Sequence, residues 1–112
     1  MSSQLLTLLL ILSIVTIHNL PVVTGRKWCM ARNDATYKQL QFNIDFSCSH
    51  GVDCKPIQPG GSCFYPNILV DHASYAMNAY YRSHGSTKDS CSFNNSSWFS
   101  HFDPSKGSCV YT

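Results

Sequence analysis

HASYAMNAYY, residues 72–81, places three tyrosines, an asparagine and a methionine among three alanines, with no glycine or proline to interrupt a helix. At about 100° per residue, one side of that helix collects Ala73, Ala76, Met77 and Tyr80, with Tyr81 at its edge. Small and adaptable apolar side chains at this spacing predict a face that packs into a core. The stretch therefore predicts a buried helix with tyrosine as part of its filling.

Two helices are predicted from the positions of apolar residues and caps. The first covers residues 34–49, is capped at residue 33 or 34, and ends before Gly51; its apolar residues recur at spacings of three, four and four. The second begins where Asn67 can cap it and ends at Gly85.

Strand signals are weaker than helix signals. Residues 52–61 are rich in proline and glycine and leave room for one short helical turn. The short stretches 91–93 and 108–111 are the only ones that we expect to form strands, and they could pair with each other. No repeat or linker divides the chain, which predicts one small, mainly helical α+β domain.

The first twenty-five residues have the pattern of a secretory signal. Residues 5–17 are apolar apart from three hydroxyl side chains, a run too short to span a bilayer. Val23-Thr24-Gly25 suits signal peptidase, so we predict a signal peptide at residues 1–25 and a domain at residues 26–112. The apolar run follows no Lys or Arg, and a retained signal anchor is the alternative.

All six cysteines follow the predicted cleavage point, at Cys29, Cys48, Cys54, Cys63, Cys91 and Cys109. An even number in a short exported domain is typical of a disulfide framework, which a core this small needs. The competing use is zinc, but no C-x-x-C pair and no histidines at finger spacing occur. We expect no metal and no cofactor.

Charge argues against several partner classes. Eight Lys and Arg face six Asp and no Glu, a net charge of +2 with the basic residues scattered, so nucleic acid is not an expected partner. Only three residues follow Cys109, so we expect no glycolipid anchor. We also expect a monomer.

No constellation in the sequence predicts catalysis. A glycosidase needs two carboxylic acids around the scissile bond, and the six aspartates lie beside caps, turns and polar helix faces. A nucleophile needs a free thiol or an activated hydroxyl with a base. The chain is therefore expected to be a binding module and not an enzyme, with no catalytic residues.

Two overlapping N-glycosylation sequons occur at Asn94 and Asn95, each followed two positions later by a serine. They predict a surface loop, with one of the two asparagines used at most.

Several stretches of the sequence resemble one plant family. They are WCMAR at 28–32, IDFSC at 44–48, GVDC at 51–54, GSCFYPN at 61–67, HASYAMN at 72–78, SCSF at 90–93 and PSKGSC at 104–109. Together they resemble the X8 domain, also classed as carbohydrate-binding module family 43. The likeness spans essentially all of residues 26–112.

The resemblance implies a non-catalytic, secreted domain that binds β-1,3-glucan, the polymer of callose, in the cell wall or at plasmodesmata. It implies two helices with a very small antiparallel sheet, and three bridges: Cys29–Cys91, Cys48–Cys54 and Cys63–Cys109. Free-standing members are similar to pollen allergens, and others are joined to β-1,3-glucanases. Two alternatives remain: an accessory module that acts with a separate β-1,3-glucanase, and a cysteine-rich defence or signalling protein with a protein partner.

With a sugar ligand implied, the second side of the later helix becomes the candidate site. A sugar site needs an aromatic ring for the C–H face of a pyranose and polar groups for its hydroxyls. That side carries Asp71, Tyr75, Asn78 and Arg82 at i, i+4, i+7 and i+11. The alternative is that Tyr75 is an ordinary half-buried tyrosine and Arg82 a solvated charge.

Other aromatic residues are weaker candidates for sugar contact. Trp98 and Phe99 adjoin each other in a polar stretch and are the other exposed aromatic candidates; the alternative is that one of them plugs the small core. Tyr65 and Tyr111 could extend a contact rim. Trp28, directly before a cysteine, is expected to be buried beside a disulfide.

Overall fold

The structure, a computed structural model, describes residues 25–112. The signal peptide predicted at residues 1–25 lies outside the described residues except for its last position. Four regular elements follow one another: β1 (Trp28–Ala31), α1 (Tyr37–Ser49), α2 (Leu69–Ser83) and β2 (Ser97–Ser100). Short 3-10 turns occur at Lys55–Ile57, Asp89–Cys91 and Phe93–Asn95.

The first helix begins three residues later than predicted because its cap is Thr36. The Thr36 hydroxyl accepts from the Gln39 backbone N–H at 3.1 Å, and the Gln39 side chain accepts from the Thr36 N–H at 2.9 Å. This reciprocal pair is a capping box and satisfies two amides at the helix start. Neither expected cap, Asn33 or Asp34, is used, and the Asp34 carboxylate instead pairs with Arg32 at 2.8 Å.

Both helices end in the same tripeptide, Ser-His-Gly, and in the same geometry. His50 Nδ1 lies 2.6 Å from the Phe46 carbonyl oxygen, and His84 Nδ1 lies 2.9 Å from the Tyr80 carbonyl oxygen. Each histidine is followed by a glycine with positive φ, 93° in the first helix and 86° in the second, a conformation that glycine adopts without strain. The predicted helix ends are therefore confirmed. At its other end, α2 begins after Ile68, one residue later than the cap predicted at Asn67.

The predicted strands are wrong. The sheet consists of β1 and β2, antiparallel, with Trp28 opposite Ser100 and Ala31 opposite Ser97. Residues 91–93 lie in 3-10 turns, and residues 108–111 contribute only an isolated bridge between Lys106 and Cys109. Four-residue strands are too short for a pattern with a period of two to stand out from neighbouring sequence.

Side chains of α2 complete the open edge of β1. The Cys29 N–H donates to Asn78 Oδ1 at 3.0 Å, and the Ala31 N–H donates to Ser74 Oγ at 2.9 Å. Alternate amides of a strand point away from its partner, and buried ones need acceptors. The helix therefore takes the place of a third strand.

The three disulfides have the pairing that the family resemblance implies, with Cα atoms 5.7, 5.7 and 4.7 Å apart. Cys29–Cys91 and Cys63–Cys109 close loops of 62 and 46 residues, and Cys48–Cys54 closes one of 6. In the chain-entropy model each long loop contributes about 4 kcal/mol by restricting the unfolded chain. The bridges therefore carry stability that a small core does not supply.

The core lies between α1, α2 and β1. Ala73, Ala76 and Met77 are fully buried, as predicted, but Tyr80 is only half-buried. Tyr81 is buried in its place and packs within the cluster that contains Met77. The helix is covered on two sides, by α1 and by β1, so its buried arc is wider than one apolar stripe and extends to Tyr81.

Candidate functional site

Asn78 is a structural residue and does not point outward as predicted. Its side chain has no exposed surface. Its Oδ1 accepts from the Cys29 N–H at 3.0 Å and its Nδ2 donates to the Thr112 carbonyl oxygen at 3.0 Å. A carboxamide with a donor and an acceptor can bind two backbone segments at once. Asn78 therefore joins α2 to β1 and to the C-terminal segment, and no sugar can reach it.

Arg82 is held by backbone carbonyls and is not the solvated charge of the alternative interpretation. Its Nε lies 3.3 Å from the Thr112 oxygen, and its Nη2 donates to the Lys27 carbonyl. The guanidinium also lies over the rings of Trp28 and Tyr81, at 6.0 and 5.3 Å from their centroids. Trp28 is buried, as predicted. Arginine suits this position because its planar guanidinium can donate to two carbonyls and stack on aromatic rings at the same time.

Tyr75 and Tyr111 form an edge-to-face pair with ring centroids 5.5 Å apart. Burial is the largest cause of a raised pKa at Tyr75, and the charge of Asp53 adds to it. Burial also raises the pKa of Tyr111 to about 12, with further contributions from Asp71 and Tyr75. Both phenols therefore keep their protons near neutral pH and can donate hydrogen bonds.

A groove of about 560 Å³ lies between the start of α2 and the segments around residues 62–66 and 104–111. We call it the C-terminal groove. Its lining includes Tyr65, Asp71, Tyr111 and Lys106. Tyr65 is 78% exposed, and its ring is set edge-on to that of Phe64 at 5.0 Å. The groove thus brings together two of the predicted site residues, Tyr65 and Asp71, with a cation and a neutral phenol.

Trp98 extends the aromatic surface from the rim of this groove. It lies opposite Met30 in the sheet, and Met30 lines the groove. Side chains of directly paired residues lie side by side on one face of a sheet. The Trp98 indole is 49% exposed and donates from Nε1 to the Ala31 carbonyl at 3.1 Å, which fixes the ring. Phe99 is the core plug, half-buried with its ring 5.5 Å from Tyr81.

A smaller groove of about 350 Å³ adjoins the other side of the tyrosine pair. Tyr75 and Arg82 line it, together with Asp53 and the backbone near Thr112. Of the four residues predicted along α2, Asp71 therefore lies in one groove, Tyr75 and Arg82 in the next, and Asn78 beneath them.

Sequence reasoning did not find Met30 and Lys106, and it gave Tyr111 a minor role. The Cys63–Cys109 bridge helps to bring the C-terminal segment, with Lys106 and Tyr111, onto the start of α2, whereas Met30 reaches the groove from β1. The pairing that the resemblance implied was a signal for the C-terminal residues but not for Met30.

Within residues 25–112, no three side chains among His, Cys, Asp and Glu lie close enough to hold a metal ion, and all six cysteines are in disulfides. None of the helices described there is long and apolar enough to cross a membrane.

Comparison of the sequence with known proteins identifies its family. The family model described as the X8 domain matches residues 27–98. The chain is 47% identical over 92 residues to the major pollen allergen Ole e 10 of Olea europaea, covering 81% of this chain and 75% of that protein.

Two further relatives differ in size from this chain. A glucan endo-1,3-beta-glucosidase of Triticum aestivum is 51% identical over 87 residues, 78% of this chain but 19% of the enzyme. Plasmodesmata callose-binding protein 5 of Arabidopsis thaliana is 38% identical over 91 residues, 80% of this chain and 51% of that protein. The similarity to the glucosidase is thus confined to a small part of the enzyme.

Proposed function

We propose that this chain, which belongs to the X8 domain family, is a secreted, non-catalytic protein that binds β-1,3-glucan through the C-terminal groove. The X8 domain is a carbohydrate-binding module that occurs in glucanases, in Ole e 10 and in callose-binding proteins. The glucosidase and callose-binding relatives carry β-1,3-glucan or callose in their names. This supports β-1,3-glucan as the specific ligand of this chain.

The observation that carries the proposal is the composition of the C-terminal groove. The rings of Tyr65 and Tyr111 line it, and Trp98 continues it across Met30. Such rings can pack against the C–H faces of successive pyranoses, because both surfaces are apolar and flat. Asp71, Lys106 and the neutral phenols can bind sugar hydroxyls as acceptors and donors. A site of this kind needs no metal and no ionised phenol.

The exposure of the groove suits a polymer. Tyr65, which lines the groove, and Trp98, which is paired with the lining residue Met30, are 78% and 49% exposed, so a chain can enter and leave without an end group being enclosed. Tyr75 and Asp53, in the adjoining groove, can contact the next sugars along the chain. Asn78 and Arg82 support this surface from below and keep the C-terminal segment in place.

Location follows from the disulfides and the leader pattern. Three disulfides persist in oxidising compartments, and the predicted signal peptide at residues 1–25 would send the chain there. We therefore propose the cell wall, including plasmodesmata, as its place of action, and a monomer as its form.

A second candidate function is that of an accessory module for a separate β-1,3-glucanase. The observation that favours it is that the wheat glucosidase contains a region 51% identical to this chain. A glucanase that becomes more active on insoluble β-1,3-glucan when the purified chain is added, but not on soluble oligosaccharides, would support it. An unchanged rate on both substrates would exclude it.

The proposal is tested by a pull-down of the oxidised protein on insoluble β-1,3-glucan, with cellulose and xylan as control polymers. We expect retention on β-1,3-glucan only, reduced in Tyr65→Ala and Trp98→Ala. The matched control is Tyr37→Ala, which removes a tyrosine that is 73% exposed on α1 and lines neither the C-terminal groove nor the smaller groove beside it. Equal retention on all three polymers would refute the specificity, and full retention of both groove variants would refute the site.

A further inference from the structure

A second aromatic groove lies away from the surface proposed for glucan. Two adjoining hollows of about 370 and 360 Å³ share Phe42, Asn43, Phe93 and Asn94 in their linings. We call the pair the Phe42 groove. Its floor is a row of aromatic rings. The ring centroid of Tyr80 lies 5.2 Å from that of Phe46 and 5.7 Å from that of Phe93. Phe42 is 59% exposed at its edge.

This groove and the C-terminal groove use opposite sides of α2. Tyr80 lies nine positions after Asp71, and nine steps of about 100° place it half a turn away from Asp71 around the helix. Asp71 lines the C-terminal groove and Tyr80 lines the Phe42 groove. Glucan bound as proposed would leave the Phe42 groove uncovered.

A sequon asparagine forms part of the lining. Asn94 is exposed, lines both hollows, and begins the sequon Asn94-Asn95-Ser96. Asn95, which begins the overlapping sequon, lines neither hollow. The two neighbouring asparagines therefore differ in their surroundings: Asn94 shares a groove with aromatic rings, and Asn95 does not.

The turn that carries Asn94 is held in place by buried contacts. Ser96 is 2% exposed; its hydroxyl donates to the Phe93 carbonyl and accepts from Asn43 Nδ2 at 2.8 Å. Asn94 itself has φ 50° and ψ 47°, the left-handed conformation that asparagine tolerates better than most residues. The direction in which its side chain leaves the backbone is therefore set by the fold.

We propose that Asn94 carries an N-linked glycan whose first pyranose packs on Phe42 and Phe93 in the Phe42 groove. Transfer joins Asn94 Nδ2 to C1 of an oligosaccharide carried on a lipid diphosphate. The C1–O bond to the diphosphate breaks, the diphosphate leaves with that electron pair, and Nδ2 loses one proton. The first sugar is then bonded directly to a residue of the groove lining.

The chain's own glycan is favoured over a free sugar as the occupant of this groove because it is tethered there. Attachment makes its contact with the rings intramolecular, which corresponds to a millimolar effective concentration or more. The C–H face of the sugar covers part of an exposed apolar surface, and this favours the packed state. The inference rests on the secretion proposed above but not on glucan binding.

The first test is to locate the glycan. The full-length chain is expressed in a secreting plant or insect cell and its peptides are analysed by mass spectrometry. We expect modification at Asn94 and an unmodified Asn95. An unmodified Asn94, whether or not Asn95 carries a glycan, would overturn the inference.

The second test separates packing from attachment. An endoglycosidase trims the glycan to a single sugar, and the melting temperature is compared with that of Asn94→Gln. We expect the single sugar to raise Tm by about 4 °C, and we expect Phe42→Ala to remove more than half of that difference. Tyr37→Ala, on the same helix but outside both hollows, should leave it intact. An equal difference in Phe42→Ala and in Tyr37→Ala would show that the sugar does not pack on the groove.

A third measurement keeps this inference distinct from glucan binding. Asn94→Gln should be retained on insoluble β-1,3-glucan as strongly as the glycosylated chain, since the two grooves lie on opposite sides of α2. If neither protein is retained, the proposed function fails while the glycan result stands. If the glycosylated chain binds a second equivalent of a β-1,3-glucan oligosaccharide that Phe42→Ala abolishes, free glucan occupies the groove and the inference fails.

Discussion

Along one face of α2, the side chains of Asp71 and Tyr75 in the first half differ in their contacts from those of Asn78 and Arg82 in the second. The first two lie in surface grooves, where solvent and ligand can reach them. The last two bind backbone carbonyls of Lys27 and Thr112; Asn78 is sealed there, whereas Arg82 is half-buried and also lines the smaller groove. A helical periodicity places all four on one line, but only the segments that fold over the helix determine which of them remain accessible.

The largest expected effect is that of Asn78→Ala on stability. The substitution leaves the buried Cys29 N–H without an acceptor and the Thr112 carbonyl without its donor. We expect a loss of about 3 kcal/mol in the free energy of unfolding, since buried unsatisfied groups are costly. Urea denaturation with the disulfides intact measures it.

Asp71→Ala, on the same line but exposed, is the matched control and should change stability by less than about 0.5 kcal/mol. Equal stability of the two variants would contradict the division of this face into a supporting half and a binding half.

Loss of groove aromatics should weaken glucan binding without unfolding the protein. For Tyr65→Ala and for Trp98→Ala we expect affinity for a soluble β-1,3-glucan oligosaccharide to fall about tenfold. Isothermal titration calorimetry measures the affinity, and circular dichroism melting verifies that both variants remain folded. A tenfold loss in Asn78→Ala at a temperature where it is fully folded, with Tyr65→Ala unaffected, would reverse the assignment.

Arg82→Lys should have a smaller effect on stability than Asn78→Ala. Lysine keeps the charge but loses the planar fork that reaches two carbonyls and stacks on Trp28. Arg82 is half-buried, so we expect a loss of about 1 kcal/mol. Thermal melting measures it, and a variant as stable as the wild type would show that these contacts contribute little.

The last effect is confined to alkaline pH and concerns the titration of the tyrosine pair. The pKa of Tyr111 is about 12 in the folded state and near 10 in the unfolded state, so the folded protein keeps this proton to a higher pH. Its stabilising contribution is complete below about pH 10 and is lost as the pH rises toward 12. Ultraviolet titration at alkaline pH should show a late phenol that Tyr111→Phe removes, and Tyr65→Phe should leave that phase unchanged. A titration curve of Tyr111→Phe that keeps the late phase would assign it to another tyrosine.

Much of the local structure could be predicted from sequence because its causes lie within a few residues. Gly51 and Gly85 end their helices as predicted, since positive φ is a local demand. Residues 55–57 form the single short turn expected between the helices. The cap was predicted at residue 33 or 34 and not at Thr36, although the T-x-x-Q pattern of the capping box occurs in the sequence.

The strand pairing, and the burial of Tyr81 in place of Tyr80, were mispredicted because both depend on contacts with distant parts of the chain. β1 pairs with a segment nearly seventy positions away, and its other edge is completed by Ser74 and Asn78. Tyr81 is buried in place of Tyr80 because β1 covers that side of α2. The four residues of β1 do not by themselves show which segment the strand pairs with or which side of α2 it covers.

The sequence by itself determined the two helices and their C-terminal ends, and its likeness to the X8 domain identified the cysteine pairing. These depend on backbone preferences within a turn or on residues matched one by one. Only the tertiary structure decided that Tyr65, Asp71 and Tyr111 share a groove and that Asn78 is sealed beneath it. The physical reason is that exposure depends on which distant segment covers a residue, and here the Cys63–Cys109 bridge and the Thr112 carbonyl bring that segment onto α2.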